Sequence, residues 1–511
     1  MSIPKIVIAG GGIYGWITAL YFEKYFFKMA KQIDITVIES NNLPEIEELD
    51  KATSYLLINT LYYLGIDEFE FYKETQATFR YGTRHNNWKT MGEYYYGPID
   101  HHHELKDLEE MNQNQYWLYL ECLAAKKPLS EIHLYSHLMD QKLAPWIKND
   151  NSFELLSRST YSNHIDHKNF AAYLRKIRNK ERIKIFEGNV TGAELKANSG
   201  WIESVILEDG TRIKGDLFID CTGENRILLS GKLGSRWQDR TDFLPVNRAI
   251  TFRQNIEEYE DILPYTIAEA MNCGWMLTMP SLEKKNCGYV YSDSFIEPDD
   301  ARLEVEKYLG KPIEPCNDIN FSSGFLDQAC IGNSLALGPS QSFFEPLEAA
   351  TMQLFILQLH YFTKKSLLKI LKGESGDWFY NMDVCDLCED MVDFVNLHYR
   401  GGRKDTPFWE YVTNECQTEY VGDLLGISSK RIPTPADIEH VCPTKCLDGV
   451  NILPVLDGLS KLNPSHARRV LSLRPKQRKF TRNLYNNYFG NFKLICEMGQ
   501  GHRAFLEELN Q

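Results

Sequence analysis

The chain has 511 residues, with 56 Lys and Arg against 70 Asp and Glu, which gives a formal net charge of −14. A hydrophobic content of 43% and a charged content of 25% are typical of a folded globular protein and exclude disorder, collagen-like repeats and coiled coils. The acidic balance argues against a nucleic-acid binder and against attraction to an anionic membrane. We therefore expect neither nucleic acid nor membrane among its partners.

The first 40 residues have the pattern of a strand, a glycine turn, a helix and a second strand. Lys5–Ala9 is a short apolar run, Trp16–Met29 has apolar residues at helical spacing, and Asp34–Ile38 alternates like a strand before Glu39. Residues 40–80 then predict a loop followed by a helix. This order is typical of a nucleotide-binding unit.

The middle of the chain is rich in strand signals. The aromatic stretch Tyr94–His103 predicts a loop. Residues 183–222 contain several β-rich segments, and the Asp209-Gly210 pair between two of them predicts a hairpin turn. A second strand-rich stretch covers residues 245–300, and the pattern is mostly helical from residue 350 onward.

Cysteine usage and the N-terminal stretch bear on location. The 12 cysteines are scattered, which is typical of free thiols in a reducing compartment. The apolar stretch 6–22 is broken by glycines and lacks a small-residue cleavage pattern, so we expect a cytoplasmic protein. The pairs Cys385/Cys388 and Cys442/Cys446 would bind zinc only if they converged. We expect no metal, because the first pair lies in a run with helical spacing.

The segment IVIAGGGIYGW places Gly10, Gly12 and Gly15 in the GxGxxG spacing between the first strand and helix. The first glycine permits a tight turn, the second lets a pyrophosphate approach the backbone, and the third lets helix and strand pack closely. Glu39 follows at the offset of roughly 20 residues expected for an acid on the ribose hydroxyls. The motif therefore predicts a dinucleotide site.

Two further segments favour FAD as the dinucleotide. Residues 216–223, DLFIDCTG, predict an apolar strand ending in a small-residue turn, which suits a second approach to FAD. Residues 333–351 predict a strand, a small-residue loop that contains Gly338, and a helix start whose amides could meet a phosphate, the isoalloxazine edge or an anion. The sequence has no second GxGxxG for a nicotinamide nucleotide, so we expect reducing equivalents from elsewhere.

These signals predict an α/β fold in which an FAD-binding Rossmann-like module is interleaved with a substrate-binding sheet. Both parts are assigned to residues 1–350, and a mainly helical C-terminal part is assigned to residues 351–511. Residues 1–40 and 245–300 share one body in this prediction, because no Pro/Gly/Ser linker separates them.

A series of segments in one order covers most of the chain and is far more specific than the glycine motif. The segments are GGGIYGWITAL at 10–20, LGIDEFEFYKETQATFRYGTRHNNW at 64–88, DHKNFAAYLRKI at 166–177, DLFIDCTGENRILL at 216–229, LPVNRAI at 244–250, GWMLTMP at 274–280, FFEPLEAAT at 343–351 and DFVNLHYRGGRKDTPFW at 393–409. In these segments the chain resembles the flavin-dependent halogenases of the tryptophan-halogenase type, as a divergent branch.

The resemblance implies a two-component reaction. Reduced FAD, supplied by a separate flavin reductase or by diffusion, reacts with O₂ to give a flavin hydroperoxide, which a halide attacks to give hypohalous acid. The acid passes through a tunnel to a small, electron-rich aromatic substrate. A family lysine and a family glutamate flank the substrate, and the amides after the glutamate bind the halide. Whether the chain forms a homo-oligomer stays open.

Carried onto this sequence, the resemblance makes Glu348 the glutamate, and the amides of Ala350 and Thr351 the halide ligands. Ala349 stands where a serine is common, which a backbone site tolerates. Arg80 stands in the place of the lysine. An arginine is always protonated, so it could hydrogen-bond hypohalous acid and pair with Glu348, but it could not readily form a haloamine.

The tunnel motif of the family, WxWxIP, is represented here by WMLTMP. Trp275 and Pro280 remain, and Leu277 stands where the second tryptophan is expected. A smaller residue there would widen the tunnel and favour bromide or iodide over chloride. Tyr95 or Tyr96 could stack on the substrate ring.

Two other functions stay open at this point. The altered tunnel would suit an aromatic monooxygenase, and the missing lysine would suit a non-catalytic flavin-binding protein. The departures also leave the substrate open, because free indoles, phenols and carrier-bound substrates all fit, and tryptophan itself is not implied.

Overall fold

The computed structural model describes residues 3–40, 51–99, 108–149, 152–156, 161–257, 259–374 and 378–510. Its strands are, in chain order, β1 Lys5–Ala9, β2 Asp34–Glu39, β3 Lys51–Ala52, β4 Thr78–Arg80, β5 Gly82–Asn86, β6 Tyr94–Pro98, β7 Trp146–Asn149, β8 Ser152–Leu155, β9 Ser162–Ile165, β10 Ile183–Glu187, β11 Val190–Leu195, β12 Ile202–Leu207, β13 Arg212–Lys214, β14 Leu217–Asp220, β15 Trp237–Asp239, β16 Arg248–Asn255, β17 Thr266–Ala270, β18 Gly274–Pro280, β19 Lys284–Tyr291, β20 Pro315–Asn320, β21 Gly324–Leu326, β22 Cys330–Ile331, β23 Ser334–Ala336 and β24 Ser342–Phe343.

The α-helices of the same ranges are, in chain order, α1 Ile13–Lys28, α2 Leu56–Leu64, α3 Glu68–Thr75, α4 Leu108–Ala124, α5 Leu134–Gln141, α6 His167–Ile177, α7 Pro298–Leu309, α8 Ala350–Lys365, α9 Leu367–Ile370, α10 Trp378–His398, α11 Pro407–Asn414, α12 Glu419–Lys430, α13 Pro435–Val441, α14 Gly449–Gly458, α15 Pro464–Leu473, α16 Pro475–Met498 and α17 His502–Leu509. No helix in the described part of the chain is both long and apolar enough to cross a bilayer.

A six-stranded sheet with the order β10-β2-β1-β14-β23-β22 contains the glycine motif. β1 pairs in parallel with β2 and β14, and β14 pairs in parallel with β23. Residues 6–9 of β1 are buried, as expected for a parallel strand covered on both faces. The carboxyl ends of β1, β14 and β23 therefore meet at one edge, which is where open α/β sheets bind ligands.

A seven-stranded sheet with the order β20-β16-β19-β18-β17-β5-β6 forms the second layer. Its neighbouring strands are antiparallel except β17 and β5, which run in parallel. β5 carries His85, and β18 carries Trp275 and Leu277. A small sheet, β3-β9-β4, lies beside it and carries Arg80 at the end of β4.

The C-terminal helices pack on the sheets. α8 contacts α1, α2 and α10, and α10 also contacts β21, α12 and α14. One hydrophobic core extends from β1 and α1 to α8, α10 and α17, so buried apolar residues run through both parts of the chain. The long α10 ends at His398, which its last turn points toward the seven-stranded sheet, where it lies against His85.

The structure confirms the α/β fold and the first predicted strand, and α1 begins at Ile13, three residues before the predicted start. The Asp209-Gly210 turn joins β12 to β13 as expected. The loop predicted for Tyr94–His103 is wrong for Tyr94–Pro98, which form β6, because they pair with β5. Residues 100–103 lie outside the described residues, and the division at residue 350 stays a prediction.

Candidate active site

The turn between β1 and α1 has two glycines that the chain's own packing requires. Gly10 has φ +122°, and a Cβ there would lie 2.2 Å from the Cys221 carbonyl oxygen. A Cβ on Gly15 would lie 2.0 Å from the Gly10 carbonyl oxygen. Gly12 differs, because a Cβ there would meet no atom of the described residues within 4 Å. Gly12 thus leaves an open face above the first turn of α1, whose amides no side chain caps and which holds no acidic residue.

Glu39 lies over this turn at the end of β2. Its carboxylate accepts hydrogen bonds from Trp16 Nε1 at 3.1 Å and from Arg175 Nε at 3.0 Å. A Cβ on Gly11 would lie 2.4 Å from Glu39 Cγ, so the acid is directly above the glycines. The structure thus places Glu39 beside the glycine turn, and its contact with ribose hydroxyls stays a prediction of the motif.

Gly338 brings a third segment to the same edge. It has φ +64°, and a Cβ there would lie 2.7 Å from the ring of Tyr14, in the first turn of α1. Buried Asp220, which the sequence analysis missed, accepts hydrogen bonds from the amides of Leu228 and Leu229 and so shapes the loop after β14. The open face at Gly12, the acid at Glu39 and the close approach at Gly338 fit the extended shape of FAD.

Glu348 lies between two buried histidines that sequence reasoning missed. Its Oε1 is 3.0 Å from His85 Nε2 and 3.3 Å from His398 Nε2, and both histidine side chains are fully buried. Burial alone would raise the pKa of Glu348. The two imidazoles lower it by more than burial raises it, so the pKa lies well below its usual value. Burial lowers the pKa of His85 to about 4. At neutral pH the site therefore holds a carboxylate beside a neutral His85.

Arg80 does not form the expected ion pair with Glu348, and that prediction is wrong. Within the described residues its guanidinium binds neutral oxygens, namely Thr266 Oγ1 at 2.9 Å, Thr83 Oγ1 at 2.8 Å, and Ser162 Oγ and the Thr53 carbonyl at 3.3 Å each. The side chain is buried, which lowers the pKa of Arg80, while the charge of Glu348 raises it. The charges of Arg80 and Glu348 therefore interact without direct contact. Hydrogen bonds to Thr83, Ser162 and Thr266 hold the guanidinium in place.

The chain turns sharply between Glu348 and α8. Ala349 adopts the left-handed conformation with φ +55°, although it is not a glycine. No side chain caps the first turn of α8, and that turn contains no acidic residue. The amides of Ala350 and Thr351 therefore begin a helix with a free, electropositive end directly after the carboxylate.

Trp275, one of the residues predicted to line the tunnel, binds a second buried acid. Trp275 is fully buried on β18, and its Nε1 donates to Glu345 Oε1 at 3.2 Å, while Tyr399 donates to the same oxygen at 2.6 Å. Burial raises the pKa of Glu345 to about 8, against these two hydrogen bonds. Leu277 is also buried on β18, and Pro280 ends this strand.

A cavity of about 390 Å³ opens beside His85. Aromatic and charged side chains line it, among them Trp88, Tyr94, Tyr95 and Lys89. Tyr95 stacks on His85 with ring centroids 4.5 Å apart and an interplanar angle of 7°. Its size and aromatic walls suit a small planar ligand. Tyr96 instead donates to Asp140 and packs edge-on against Tyr94.

The cysteine pairs do not converge. Cys385 points its sulfur at the Asp327 carbonyl and Cys388 at Gln341, whereas Cys442 lies near Asp390 and 3.9 Å from Cys446. Among the described residues, the four thiols therefore do not form one metal site.

His85 and His398 were overlooked although both lie in segments that carried the resemblance, YGTRHNNW and NLHYRGG. A signal was present in the alternation of β5, because His85 is two residues from Thr83, which binds Arg80. Glu345 likewise lies three residues before Glu348. A search for titratable residues within the matched segments would have found all three.

Comparisons with known proteins identify the family and the fold. The family profile described as tryptophan halogenase matches residues 5–432. Tryptophan 6-halogenase SttH of Streptomyces toxytricini is 25% identical over 97% of this chain and 98% of its own length. Tryptophan 7-halogenase RebH of Lentzea aerocolonigenes is 28% identical over 80% of this chain and 78% of its own length. The solved structure of BrvH, a flavin-dependent halogenase from Brevundimonas sp. BAL3, is 22% identical, covers both chains fully and superposes with a TM-score of 0.79, which shows a common fold.

Proposed function

The chain belongs to the tryptophan halogenase family of flavin-dependent oxidoreductases, and we propose that it halogenates an electron-rich aromatic substrate with FADH₂, O₂ and a halide. The observation that carries the proposal is the position of Glu348. This ionised carboxylate lies 3.0 Å from His85, which lines the aromatic cavity, and directly before the amides of α8, which no side chain of the described residues caps.

The glycine turn, Glu39 and the Gly338 turn would hold FAD across the edge of the six-stranded sheet. Reduced FAD bound there, supplied by a separate flavin reductase, would provide the electrons with which O₂ and halide give hypohalous acid. The chain's part is to bind the halide on the amides of Ala350 and Thr351 and to keep water from the oxidant by the packing around Trp275.

Arg80 and Glu348 divide the work on the substrate in this proposal. Four of the five guanidinium N–H bonds of Arg80 point at described oxygens, which leaves one on Nη2 to polarise the O–X bond of hypohalous acid. When the halogen forms a covalent bond to a ring carbon, that carbon gives up its proton to Glu348. Hydroxide leaves the halogen and is protonated to water, so the overall change is ArH + HOX to ArX + H₂O.

The substrate class follows from the cavity. A volume of about 390 Å³ between Trp88 and the Tyr95–His85 stack suits a free indole or phenol. We propose bromide or iodide as the favoured halide, because Leu277 occupies less of the tunnel than a tryptophan would.

The test is an assay with purified protein, FAD, a flavin reductase, NADH and O₂, using indoles and phenols with each halide in turn. Mass spectrometry should find halogenated product, with more from bromide or iodide than from chloride at equal concentration. A matched surface change, Glu194→Gln, should leave the yield unchanged. Oxygenated product without halide would indicate a monooxygenase instead, and flavin binding without any product would indicate a non-catalytic protein.

A further inference from the structure

Four polar atoms of the His85–Glu348–His398 cluster are buried without a hydrogen-bond partner among the described residues. They are both ring nitrogens of His85, Nε2 of His398 and Oε1 of Glu348. Buried polar atoms are nearly always hydrogen-bonded, so an unmet group calls for an explanation. Although two of these contacts are 3.0 and 3.3 Å long, their N–H directions do not point at the oxygen.

The tautomer of His398 also leaves its Nε2 without a hydrogen to donate to Glu348. Its Nδ1 is 2.9 Å from the Phe394 carbonyl oxygen, which can only accept, so Nδ1 carries the hydrogen. In the neutral ring Nε2 then has no hydrogen to donate to Glu348 Oε1, which lies 3.3 Å away. Two lone pairs at this distance repel each other unless a cation lies between them. A metal-binding imidazole usually donates its other ring N–H to a carbonyl or a carboxylate, as His398 does here.

We propose that His85, His398 and Glu348 form a binding site for a divalent transition-metal ion of the Zn²⁺ class. One ligand atom from each residue lies within 4.8 Å of the other two. A Zn²⁺ ion about 2.0–2.2 Å from each atom would place the ligand atoms roughly 2.9–3.5 Å apart, which matches the two contacts to Glu348. Two imidazoles and one carboxylate are a suitable donor set, and the cavity beside His85 leaves room for a fourth ligand.

The frame around the site is rigid. The ligands come from β5, from the turn before α8 and from the end of α10, and the His85 and His398 rings are 4.9 Å apart. Tyr95 stacks on one face of His85, and Trp88 packs edge-on against both imidazoles. Little ordering is therefore needed on binding, which favours affinity.

The experiment is calorimetric titration of chelator-treated full-length protein with Zn²⁺, without flavin or substrate. We expect one ion to bind at this cluster, with affinity at least roughly tenfold lower in His85→Phe and in Glu348→Gln. The exposed-histidine control His440→Asn should bind as the wild type does. Co²⁺ in place of Zn²⁺ should give visible absorption bands in the wild type that are lost in His85→Phe.

Equal affinity of the wild type and of correctly folded His85→Phe, judged by cooperative thermal unfolding, would overturn the proposal. If His85→Phe does not fold, Glu348→Gln decides in the same way, because it removes the anionic ligand with little change in shape. One consequence rests on the proposed function: Zn²⁺ should inhibit halogenation by occupying Glu348, and a chelator should restore it. Since binding is measured without turnover, an inactive protein that binds Zn²⁺ would refute only the proposed function.

Discussion

The glycine turn after β1 and the His85–Glu348–His398 cluster are built in opposite ways. The turn lies within six residues, and its geometry depends on backbone atoms and missing side chains. The cluster joins side chains from three elements that are more than 300 residues apart at the extremes. The comparison teaches that a local backbone site carries its own signature in the sequence, whereas a side-chain site depends on the packing of every element that contributes to it.

The largest effect should come from a pair of changes within the turn. Gly10→Ala should lower the free energy of unfolding by about 3 kcal/mol or more, because its Cβ would clash with the Cys221 carbonyl at a positive φ. Gly12→Ala should cost about 1 kcal/mol at most, yet weaken FAD binding, because its open face is where the cofactor would approach. Urea unfolding and flavin titration measure both, and equal FAD affinity in Gly12→Ala and wild type would contradict the placement.

The second change breaks the cluster. Glu348→Gln keeps the shape of the side chain but loses its charge, so it should reduce halogenation at least roughly 100-fold, which is typical for a lost proton acceptor. Product formation under saturating FADH₂ is the measurement, with flavin binding as the control for folding. Wild-type turnover in this variant would remove Glu348 from the reaction.

Arg80 sharpens the comparison, because it is a buried cation in a network of neutral oxygens. A lysine there could not reach the four acceptors of the guanidinium, so Arg80→Lys should destabilise the protein by about 2 kcal/mol. Denaturant unfolding would detect the loss. If stability is unchanged while turnover falls, Arg80 acts on the substrate alone and its network is incidental.

The smallest effect, counted per pH unit, concerns Glu345. Burial raises its pKa to about 8, so between roughly pH 5 and 8 the folded protein keeps a proton that the unfolded chain has released. The free energy of unfolding should therefore fall as pH rises through this window, by at most about 1.4 kcal/mol per pH unit. Glu345→Gln should flatten the dependence. Identical pH profiles for the two proteins, measured by urea unfolding at several pH values, would mean that Glu345 is ionised in the fold.

Much of the fold could be predicted from sequence patterns. Lys5–Ala9 is a short apolar run, which is enough to predict β1. The Asp209-Gly210 pair predicts its hairpin from local sequence alone. Tyr94–Pro98 misled the prediction, because three tyrosines before a glycine and a proline resemble a loop until β5 is available as a pairing partner. Strand character there comes from the neighbour, not from the segment.

The site could be predicted only as far as the family motif reached. Glu348 and the amides after it follow from the EPLEAAT segment, and the structure places them at the start of α8. The partner of Glu348 could not be predicted, because a missing lysine suggests that Arg80 takes its contacts. In the fold, hydroxyls from β5, β9 and β17 capture the guanidinium first, and two histidines reach the carboxylate instead.

The strand order of the six-stranded sheet also constrains how the protein is made. β1 is made well before its neighbour β14, which begins at Leu217, and before β23, which ends at Ala336. At about 5–20 residues per second, roughly 15 to 65 s separate the synthesis of the glycine turn from that of the last strand that completes its edge. Until β14 is made, the apolar β1 has only β2 to pair with. Nascent chains halted before residue 336 should therefore fail to retain flavin, and they should depend on chaperones more than the finished protein does.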